Sequence, residues 1–248
     1  AMQYAYQKSE GTRYGEFYGY IAEGYFQSEE EIKKSPRQMR ELAPGDIKYK
    51  DLNDDGVIDA NDQCYLGKSW FPSWSYGMGF NINYHNFDLA LFFQGVSDVS
   101  IMANGGSIDT GNGDWGASGV GIVPFTGMGL NPSNVITKAL DRWTADNPRA
   151  DAWYPRMTAN ATTNDNNYVN STHWLKDGSY LRLKQASLGY TLENKKLMDK
   201  GIEYLYFYLS GQNLLTFSKF KLWDPELGSN GAKYPLSRMV TLGMRVSF

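Results

Sequence analysis

The chain has 248 residues, a formal net charge of −3, 42% hydrophobic residues and 15% aromatic residues. This charge, without a basic cluster, argues against nucleic acid as a partner, and the single cysteine excludes an internal disulfide framework. No run approaches the roughly 18 consecutive apolar residues that a membrane-spanning helix requires.

The first part of the chain is polar and rich in turns. No signal peptide opens it, so we expect that an N-terminal part of the natural protein is missing here and that residues 1–6 are the outer end of a strand. Residues 7–73 are predicted to form a long loop with a short helix around Ser28–Lys34. Ser28 is a suitable cap for this helix, and acidic residues in its first turn and lysines near its end suit the helix dipole.

Within this loop, residues 51–62 match the template of an EF-hand calcium loop. With Asp51 as position 1, oxygen-bearing side chains fall at positions 1, 3, 5, 9 and 12, and glycine falls at position 6. The pattern predicts one structural Ca²⁺, held by these side chains and by the carbonyl group of position 7: Asp51, Asn53, Asp55, Val57, Asp59 and Asp62. Position 12 is Asp instead of Glu, which favours binding through one oxygen or through water. The alternative is a metal-free turn, because Asn, Asp and Gly form turns unaided.

Five later segments alternate apolar and polar residues with the period of two that a β-strand imposes. In chain order they are Trp74–Tyr84, Phe87–Gln94, Tyr180–Leu192, Ile202–Leu215 and Ser237–Phe248. Strands of sandwich proteins usually have about five or six residues, whereas about ten are needed to cross a membrane at a tilt. These segments are therefore predicted to be transmembrane strands. Asn86 of the His85-Asn86 link is expected to take the left-handed conformation of a hairpin turn.

The connections between these strands are alternately long and short. The long ones are 7–73, 96–179 and 216–236, and the short ones are 85–86 and 193–201. If the last strand ends at the periplasm, every long connection is extracellular and every short turn is periplasmic, as in outer-membrane barrels. Residues 96–172 show almost no strand pattern, although 134–144 could form a short helix. Arg182 and Lys184 share the apolar face of their strand and are expected to lie above the hydrocarbon.

The predicted fold class is therefore all-β, with strands of a transmembrane β-barrel and long extracellular loops. The alternative is a soluble, calcium-stabilised β-sandwich that binds glycan or protein at a cell surface, with its apolar face against a second sheet. Detergent dependence would distinguish the two. An enzyme is the third and weakest reading, because the only histidines, His85 and His173, lie in a turn and a loop without a catalytic constellation.

Seven motifs, in order along the whole chain, add a family resemblance. They are GEFYGY (15–20), PGDIKYKDLNDDGVID (44–59), FDLALFFQG (87–95), RWTADNP (142–148), DGSYLRLK (177–184), SGQNLLTF (210–217) and WDPE (223–226). With these motifs, residues 1–248 resemble the C-terminal quarter or so of SusC/RagA-type TonB-dependent outer-membrane transporters of Bacteroidota.

The resemblance implies a 22-stranded barrel and an N-terminal plug with a TonB box. By this resemblance, neither the plug nor the TonB box is expected within residues 1–248. It also implies import of oligosaccharides or peptides with energy delivered through TonB. The implied partners are a SusD-like surface lipoprotein, the remaining N-terminal part of the transporter, TonB through the plug, outer-membrane lipid and the substrate.

Tryptophans in the predicted loops are candidates for stacking on a sugar ring. They are Trp115, Trp143, Trp153, Trp174 and Trp223. Packing within the loops is the more common role of such residues. Trp70, Phe71 and Trp74 precede the outer end of a strand, a position typical of the aromatic girdle at a membrane interface.

Overall fold

The computed structural model describes residues 3–104, 137–157, 165–229, 231 and 234–248. None of the helices in these residues is long and apolar enough to cross a membrane. The described strands, in chain order, are β1 (Glu16–Gly19), β2 (Ala22–Tyr25), β3 (Ile47–Tyr49), β4 (Cys64–Ser69), β5 (Trp74–Tyr84), β6 (Phe87–Ser97), β7 (Ser100–Met102), β8 (Leu175–Asp177), β9 (Tyr180–Leu192), β10 (Tyr204–Ser218) and β11 (Met239–Ser247). The short helices are α1 (Glu29–Lys34) and α2 (Lys195–Met198).

The chain divides into two compact units. The first, here called the loop unit, contains residues 1–71, 99–177 and 226–233. The second, here called the strand unit, contains residues 72–98, 178–225 and 234–248.

The strand unit is one antiparallel sheet in the order β5-β6-β9-β10-β11, so its strands are neighbours in the order in which the chain presents them. All five predicted strands are confirmed, and the bounds of β5 and β9 are those expected from the alternation. The register aligns side chains of one kind in rows across the sheet. One row consists of Ile82, Leu89, Leu188, Leu209 and Leu242, and the next row, on the opposite face, consists of Asn81, Ala90, Ser187, Ser210 and Thr241.

The hairpin between β5 and β6 corrects the prediction for Asn86. His85, not Asn86, has the positive backbone angle, with φ of 51°. Some two-residue hairpin turns need a positive φ only at the first of their two central residues, which is His85 here, so Asn86 keeps an ordinary negative φ. The ring of His85 also packs edge-on against Tyr84, with the ring centroids 4.4 Å apart.

A bulge in β9 corrects the prediction for Arg182. Gln185 pairs with Phe92, but the next paired residue along β9 is Leu183, which pairs with Phe93. Lys184 is therefore an extra residue, and a single extra residue moves every side chain beyond it to the other face. Arg182 consequently lies on the polar face, where it is buried and forms an ion pair with Asp224.

The start of the chain also differs from expectation. Residues 1 and 2 lie outside the described residues, and Ala5–Gln7 form a 3₁₀ turn instead of the end of a strand. The side chain of Gln7 explains this turn, because its Oε1 accepts hydrogen bonds from the backbone N–H groups of Gln3 and Tyr4. The sheet therefore has five strands in the described residues.

The two helix predictions have different outcomes. Ser28 caps α1 as predicted, since its hydroxyl accepts a hydrogen bond from the N–H of Glu31. In the predicted helix at 134–144, residues 134–136 lie outside the described residues, and only a 3₁₀ turn at Thr137–Leu140 forms in the remainder.

The loop unit contains the main hydrophobic core of the described residues, which the sequence did not predict. Three small two-stranded sheets, β1–β4, β2–β3 and β7–β8, frame this core. Its largest fully buried aromatic side chains come from both long connections: Phe26, Tyr49, Tyr154 and Trp174. The described parts of 7–71 and 99–177 therefore pack together as one folded body.

Buried amide side chains complete the hydrogen bonding of this body. Asn167 accepts a hydrogen bond from the N–H of Ile47 at 2.8 Å, and Gln38 accepts one from the N–H of Tyr49 at 2.7 Å. Asn166 and Gln38 both donate to the carbonyl of Ile47. These amides satisfy backbone groups of β3 that its single partner strand leaves unpaired, as buried backbone groups require.

Candidate functional site

The apolar face of the strand unit is exposed. Ile82, Leu188, Leu209 and Leu242 are 55%, 46%, 47% and 79% exposed. Leu188 and Leu209 belong to strands with a paired neighbour on each side, so a free sheet edge does not explain their exposure. No second sheet covers this face in the part of the chain that the structure describes, and the aromatic side chains buried in the strand unit there are Tyr180 and Phe220.

An apolar surface of this extent requires a partner, because soluble monomers rarely expose contiguous apolar patches larger than a few hundred Å². The rows of Leu, Ile and aromatic side chains match the lipid-facing band of a transmembrane barrel. They give no support to the β-sandwich alternative, in which a second sheet would cover them.

The opposite face is polar, and large side chains lie there over glycines of neighbouring strands. The hydroxyl of Tyr206 in β10 donates to Asp88 of β6 at 3.0 Å, across the intervening strand β9. This bond is possible because residue 189 of β9 is glycine, and a Cβ atom there would collide with both side chains. In the same way, the ring of Tyr208 occupies the space beside Gly243 of β11.

The predicted calcium loop is closed by its own hydrogen bonds. Asp51 Oδ2 accepts from the N–H of Gly56 at 2.8 Å, and Asn53 Oδ1 accepts from the N–H of Asp55 at 3.1 Å. Asp55 Oδ1 in turn accepts from the N–H of Val57 at 2.9 Å. The bonds of Asn53 and Asp55 are Asx turns, which form without a metal and are the alternative that the sequence left open.

The second half of the loop is held in the same manner. Asp59 accepts from the N–H of Asn61 at 2.7 Å and caps the turn Ala60–Asp62. Asp62 is fully buried, and its two oxygens accept from the N–H groups of Leu52 and Asp59, each at 2.8 Å.

The fit of this loop to Ca²⁺ rests on its donor chemistry. All its candidate ligands are oxygens, which Ca²⁺ prefers. Asp51 Oδ1 is buried without a hydrogen-bond partner, a costly state that a bound cation would relieve. Yet across the described residues no group of three or more His, Cys, Asp or Glu side chains is placed to hold a metal ion. The calcium site remains a prediction.

The candidate tryptophans have different environments. Trp143 and Trp174 are 6% and 0% exposed and belong to the core of the loop unit, so they are not available to stack on a ligand. Trp223 packs edge-on against Phe220 at a centroid distance of 4.8 Å. Trp115 lies outside the described residues. Of this set, Trp153 is the half-buried member of the loop unit.

The predicted girdle residues of the loop unit are exposed. Trp70 and Phe71 are 51% and 52% exposed, and both rings contact Tyr14, which the sequence analysis did not single out. In the strand unit, Trp74 is 70% exposed. This exposure is compatible with a membrane interface.

Trp153 lies at a positively charged cluster that the sequence analysis missed. The ammonium nitrogens of Lys176 and Lys138 are 5.3 and 5.9 Å from the centroid of its ring. His173 Nε2 lies 3.2 Å from the Trp153 carbonyl oxygen. The charged residues are separated in sequence by tens of positions, and no short motif marks them.

Burial controls the protonation of this cluster. Desolvation, with the nearby charge of Lys176, lowers the pKa of His173 to about 4, so its ring is neutral near pH 7. Desolvation also lowers the pKa of Lys176, and the charge of Lys138 acts in the same direction. The cluster can therefore attract an anion through its lysines but not through its histidine.

Comparisons with known proteins agree with the architecture. No protein-family model matches the chain. It is 30% identical over 241 residues to TonB-dependent receptor P26 of Formosa agariphila, an alignment that covers 91% of this chain and 22% of the relative. It is 28% identical over 255 residues to TonB-dependent receptor P3 of the same organism, covering 96% of this chain and 22% of the relative. The chain thus spans about a fifth of the length of these relatives.

Two solved structures show a similar fold. The RagAB peptide importer in its open-open state matches with a TM-score of 0.62 and 23% identity, covering 94% of this chain and 22% of that chain. Its closed-closed state matches with a TM-score of 0.60 and 24% identity, covering 94% of this chain and 23% of that chain. The all-β fold predicted from the strand alternation is confirmed, and it is the fold of part of such an importer.

Proposed function

Because this chain is homologous to TonB-dependent receptors, we propose that it forms part of the barrel wall and the extracellular loops of an outer-membrane nutrient importer. The observation that carries the proposal is the exposed apolar face of the strand unit. On this face, four of the five strands expose an aliphatic side chain of the same row, and no other described part of the chain forms a layer over them: Ile82, Leu188, Leu209 and Leu242. In this proposal the face contacts outer-membrane lipid, and the sheet edges β5 and β11 pair with further strands of the barrel.

The order of the connections supports an orientation. The hairpin at 85–86 and the connection between β9 and β10 leave one end of the sheet, where Tyr84 pairs with Phe87 and Leu192 pairs with Leu205. Every longer connection leaves the other end. Outer-membrane barrels have short periplasmic turns and long extracellular loops. We therefore place the loop unit outside the cell and the end of β11 at the periplasm.

The proposed substrate is an oligosaccharide or a peptide. The similar RagAB structures are those of a peptide importer, and the family resemblance of the sequence includes importers of both kinds. A SusD-like surface lipoprotein as an external lid and TonB as the energy source belong to the same proposal, with TonB acting through a plug that the transporter supplies.

The test is uptake by cells that produce the transporter. A fluorescent oligosaccharide or peptide pool is expected to enter the periplasm only when both the transporter and TonB are present, and the protein is expected in the detergent-extracted outer-membrane fraction. Uptake that persists without TonB, or a protein that is found in the soluble fraction without detergent, would contradict the proposal.

We also propose that residues 51–62 bind one structural Ca²⁺ in an extracellular loop. The support is the complete set of oxygen-bearing positions and the unpartnered buried oxygen of Asp51. Binding would relieve repulsion among the loop carboxylates, so chelation is expected to loosen this loop locally while the sheet, which does not depend on it, stays intact.

A calcium titration tests this proposal with a matched pair of variants. Asp51→Asn removes the negative charge of a predicted ligand, whereas Asp54→Asn removes the charge of an exposed carboxylate at a position that the template does not use. Weaker calcium binding in the first variant only is the expected result. Equal binding in both variants, or none in the parent protein, would leave the metal-free turn as the correct description.

A further inference from the structure

We propose that the surface around Trp153 binds the carboxylate group of an acidic ligand, with the ammonium group of Lys176 as its principal contact and Lys138 as the second. The inference rests on the proposed function and deepens it. It assigns the importer a substrate class, namely oligomers that carry carboxylates, whether from uronic acid residues or from acidic amino acids.

Geometry gives the first argument. Lys138 lies in the 3₁₀ turn Thr137–Leu140, Trp153 lies about fifteen residues further along the chain, and Lys176 lies in β8. The fold brings them together so that both ammonium nitrogens lie within 6 Å of one indole ring, at 5.3 and 5.9 Å from its centroid. Cation–π attraction to indole holds two like charges near each other at this surface.

The charge balance gives the second argument. Lys138 forms a salt bridge with Asp141 at 2.8 Å, and Asp141 is shared with Arg149 at 3.3 Å. Lys176 donates instead to the carbonyl oxygen of His173 at 2.7 Å. In the described parts of the chain, it forms no salt bridge.

A lysine this deeply placed is usually paired with an acid. The charge of Lys176 is thus held next to a second cation by a neutral carbonyl group and a neutral indole ring, and the neutral ring of His173 adds no charge of its own. Burial and Lys138 both lower the pKa of Lys176. A carboxylate at this point would give Lys176 an acidic partner and would add a second one to the Asp141 partner of Lys138. It would form charge-assisted hydrogen bonds, which are stronger than neutral ones.

The surface is also accessible. The side chain of Lys138 is 40% exposed, and Trp153 and Lys176 are half-buried. A ligand carboxylate can therefore approach the ammonium groups over the indole ring without unfolding the loop unit. Trp174 beneath the cluster packs edge-on against Trp153 at a centroid distance of 5.4 Å and supports its orientation.

The experiment measures binding to the purified transporter in detergent by calorimetry. The acidic probes are trigalacturonate and triglutamate, and the neutral probes are maltotriose and triglutamine. We expect Lys176→Met to weaken binding of the acidic probes by roughly tenfold or more, the loss of one charge-assisted bond. Lys176→Arg is expected to retain most of the affinity. Lys200→Met, which removes an exposed lysine of the strand unit, is the matched control and should leave affinity unchanged.

The two acidic probes identify the source of the carboxylate, since a loss confined to one of them assigns the substrate to sugars or to peptides. Amine-reactive labelling read by mass spectrometry gives a second readout that does not depend on a variant folding. The acidic probe that binds should protect Lys176 from modification and leave Lys200 labelled.

Acidic and neutral probes that bind equally, a Lys176→Met variant with parental affinity, or labelling of Lys176 that no acidic probe reduces would each overturn the inference. TonB-dependent import of neutral oligomers without acidic binding would also overturn it while upholding the proposed function. Acidic binding without any uptake would uphold the site and contradict the proposed function.

Discussion

Removal of the charge of Asp46 is expected to destabilise the loop unit strongly. Asp46 is 1% exposed and faces Arg156, whose Nε and terminal nitrogen lie 2.7 and 3.0 Å from its two oxygens. Its oxygens also accept from the side-chain amide of Asn167 at 2.7 Å and from the N–H of Ala43 at 2.9 Å. Asp46→Asn preserves the volume, removes the charge and leaves the guanidinium of Arg156 without its counterion.

The magnitude follows from the burial of the pair. Breaking a buried ion pair costs about 3–5 kcal/mol. The side chain of Arg156 is 24% exposed and can recover part of its hydration, so we expect a loss of about 2–4 kcal/mol. At 1.4 kcal/mol for each factor of ten, this loss corresponds to roughly 30- to 700-fold faster exchange of the amide hydrogens, provided that the exchange rate reports the equilibrium between the closed and the open state.

Hydrogen exchange with mass spectrometry checks this value at the adjacent strand β3, Ile47–Tyr49. The control is Asp151→Asn, which removes one of the two acidic partners of Arg149 from a pair whose carboxylate is 81% exposed, and it should not change the exchange rate of β3. If the amides of β3 in Asp46→Asn exchanged within twofold of the rate in the parent protein, the ion pair between Asp46 and Arg156 would not stabilise the loop unit as described.

Three further outcomes are expected. Leu188→Lys should destabilise the protein in lipid vesicles by about 2–4 kcal/mol if residue 188 lies near the bilayer midplane. Ser187→Lys, on the other face of the same strand, should reduce the free energy of unfolding far less. Equal losses for the two variants in guanidinium unfolding would contradict the assignment of faces. Because the pKa of His173 is lowered to about 4 in the folded state, the unfolded state binds its proton first, so the loop unit should lose stability as pH falls from about 6.5 towards 4; a His173→Gln variant with the same pH dependence would refute this. Gly243→Val should slow assembly because its side chain would collide with Tyr208, and normal heat-modifiable folding on a gel would contradict this prediction.

The strands could be predicted because their determinants are local. A half-buried strand places one apolar residue at every second position, and this pattern fixed the bounds of β9 at Tyr180–Leu192. The bulge at Lys184 appears in the sequence only as a change of phase, because Leu181 and Leu183 stand at odd positions whereas Ala186 and Leu188 stand at even ones. The prediction extended the phase of the later residues back through the bulge. Arg182 was therefore assigned to the wrong face.

The loop unit could not be predicted because distant residues determine it. Asn167 bonds to Ile47 across 120 positions of the chain, and neither residue has a local pattern that indicates the other. The same limit applies to the candidate site. Trp153 and Trp174 look alike in sequence, yet only the tertiary packing makes Trp174 a core residue and leaves Trp153 between two lysines.

The most direct test of the central claim is the environment of the side chains along β9. Nitroxide labels placed singly at residues 185 to 188 and 190 to 192 in the transporter, reconstituted in lipid, report their accessibility to oxygen dissolved in the bilayer; Gly189 stays unlabelled because a side chain there would collide with Tyr206 and Asp88. The account predicts maxima at Ala186, Leu188 and Tyr190 and minima at Gln185, Ser187 and Thr191. Uniformly low oxygen accessibility at these three positions, as expected beneath a second layer of protein, would contradict a lipid-facing barrel wall.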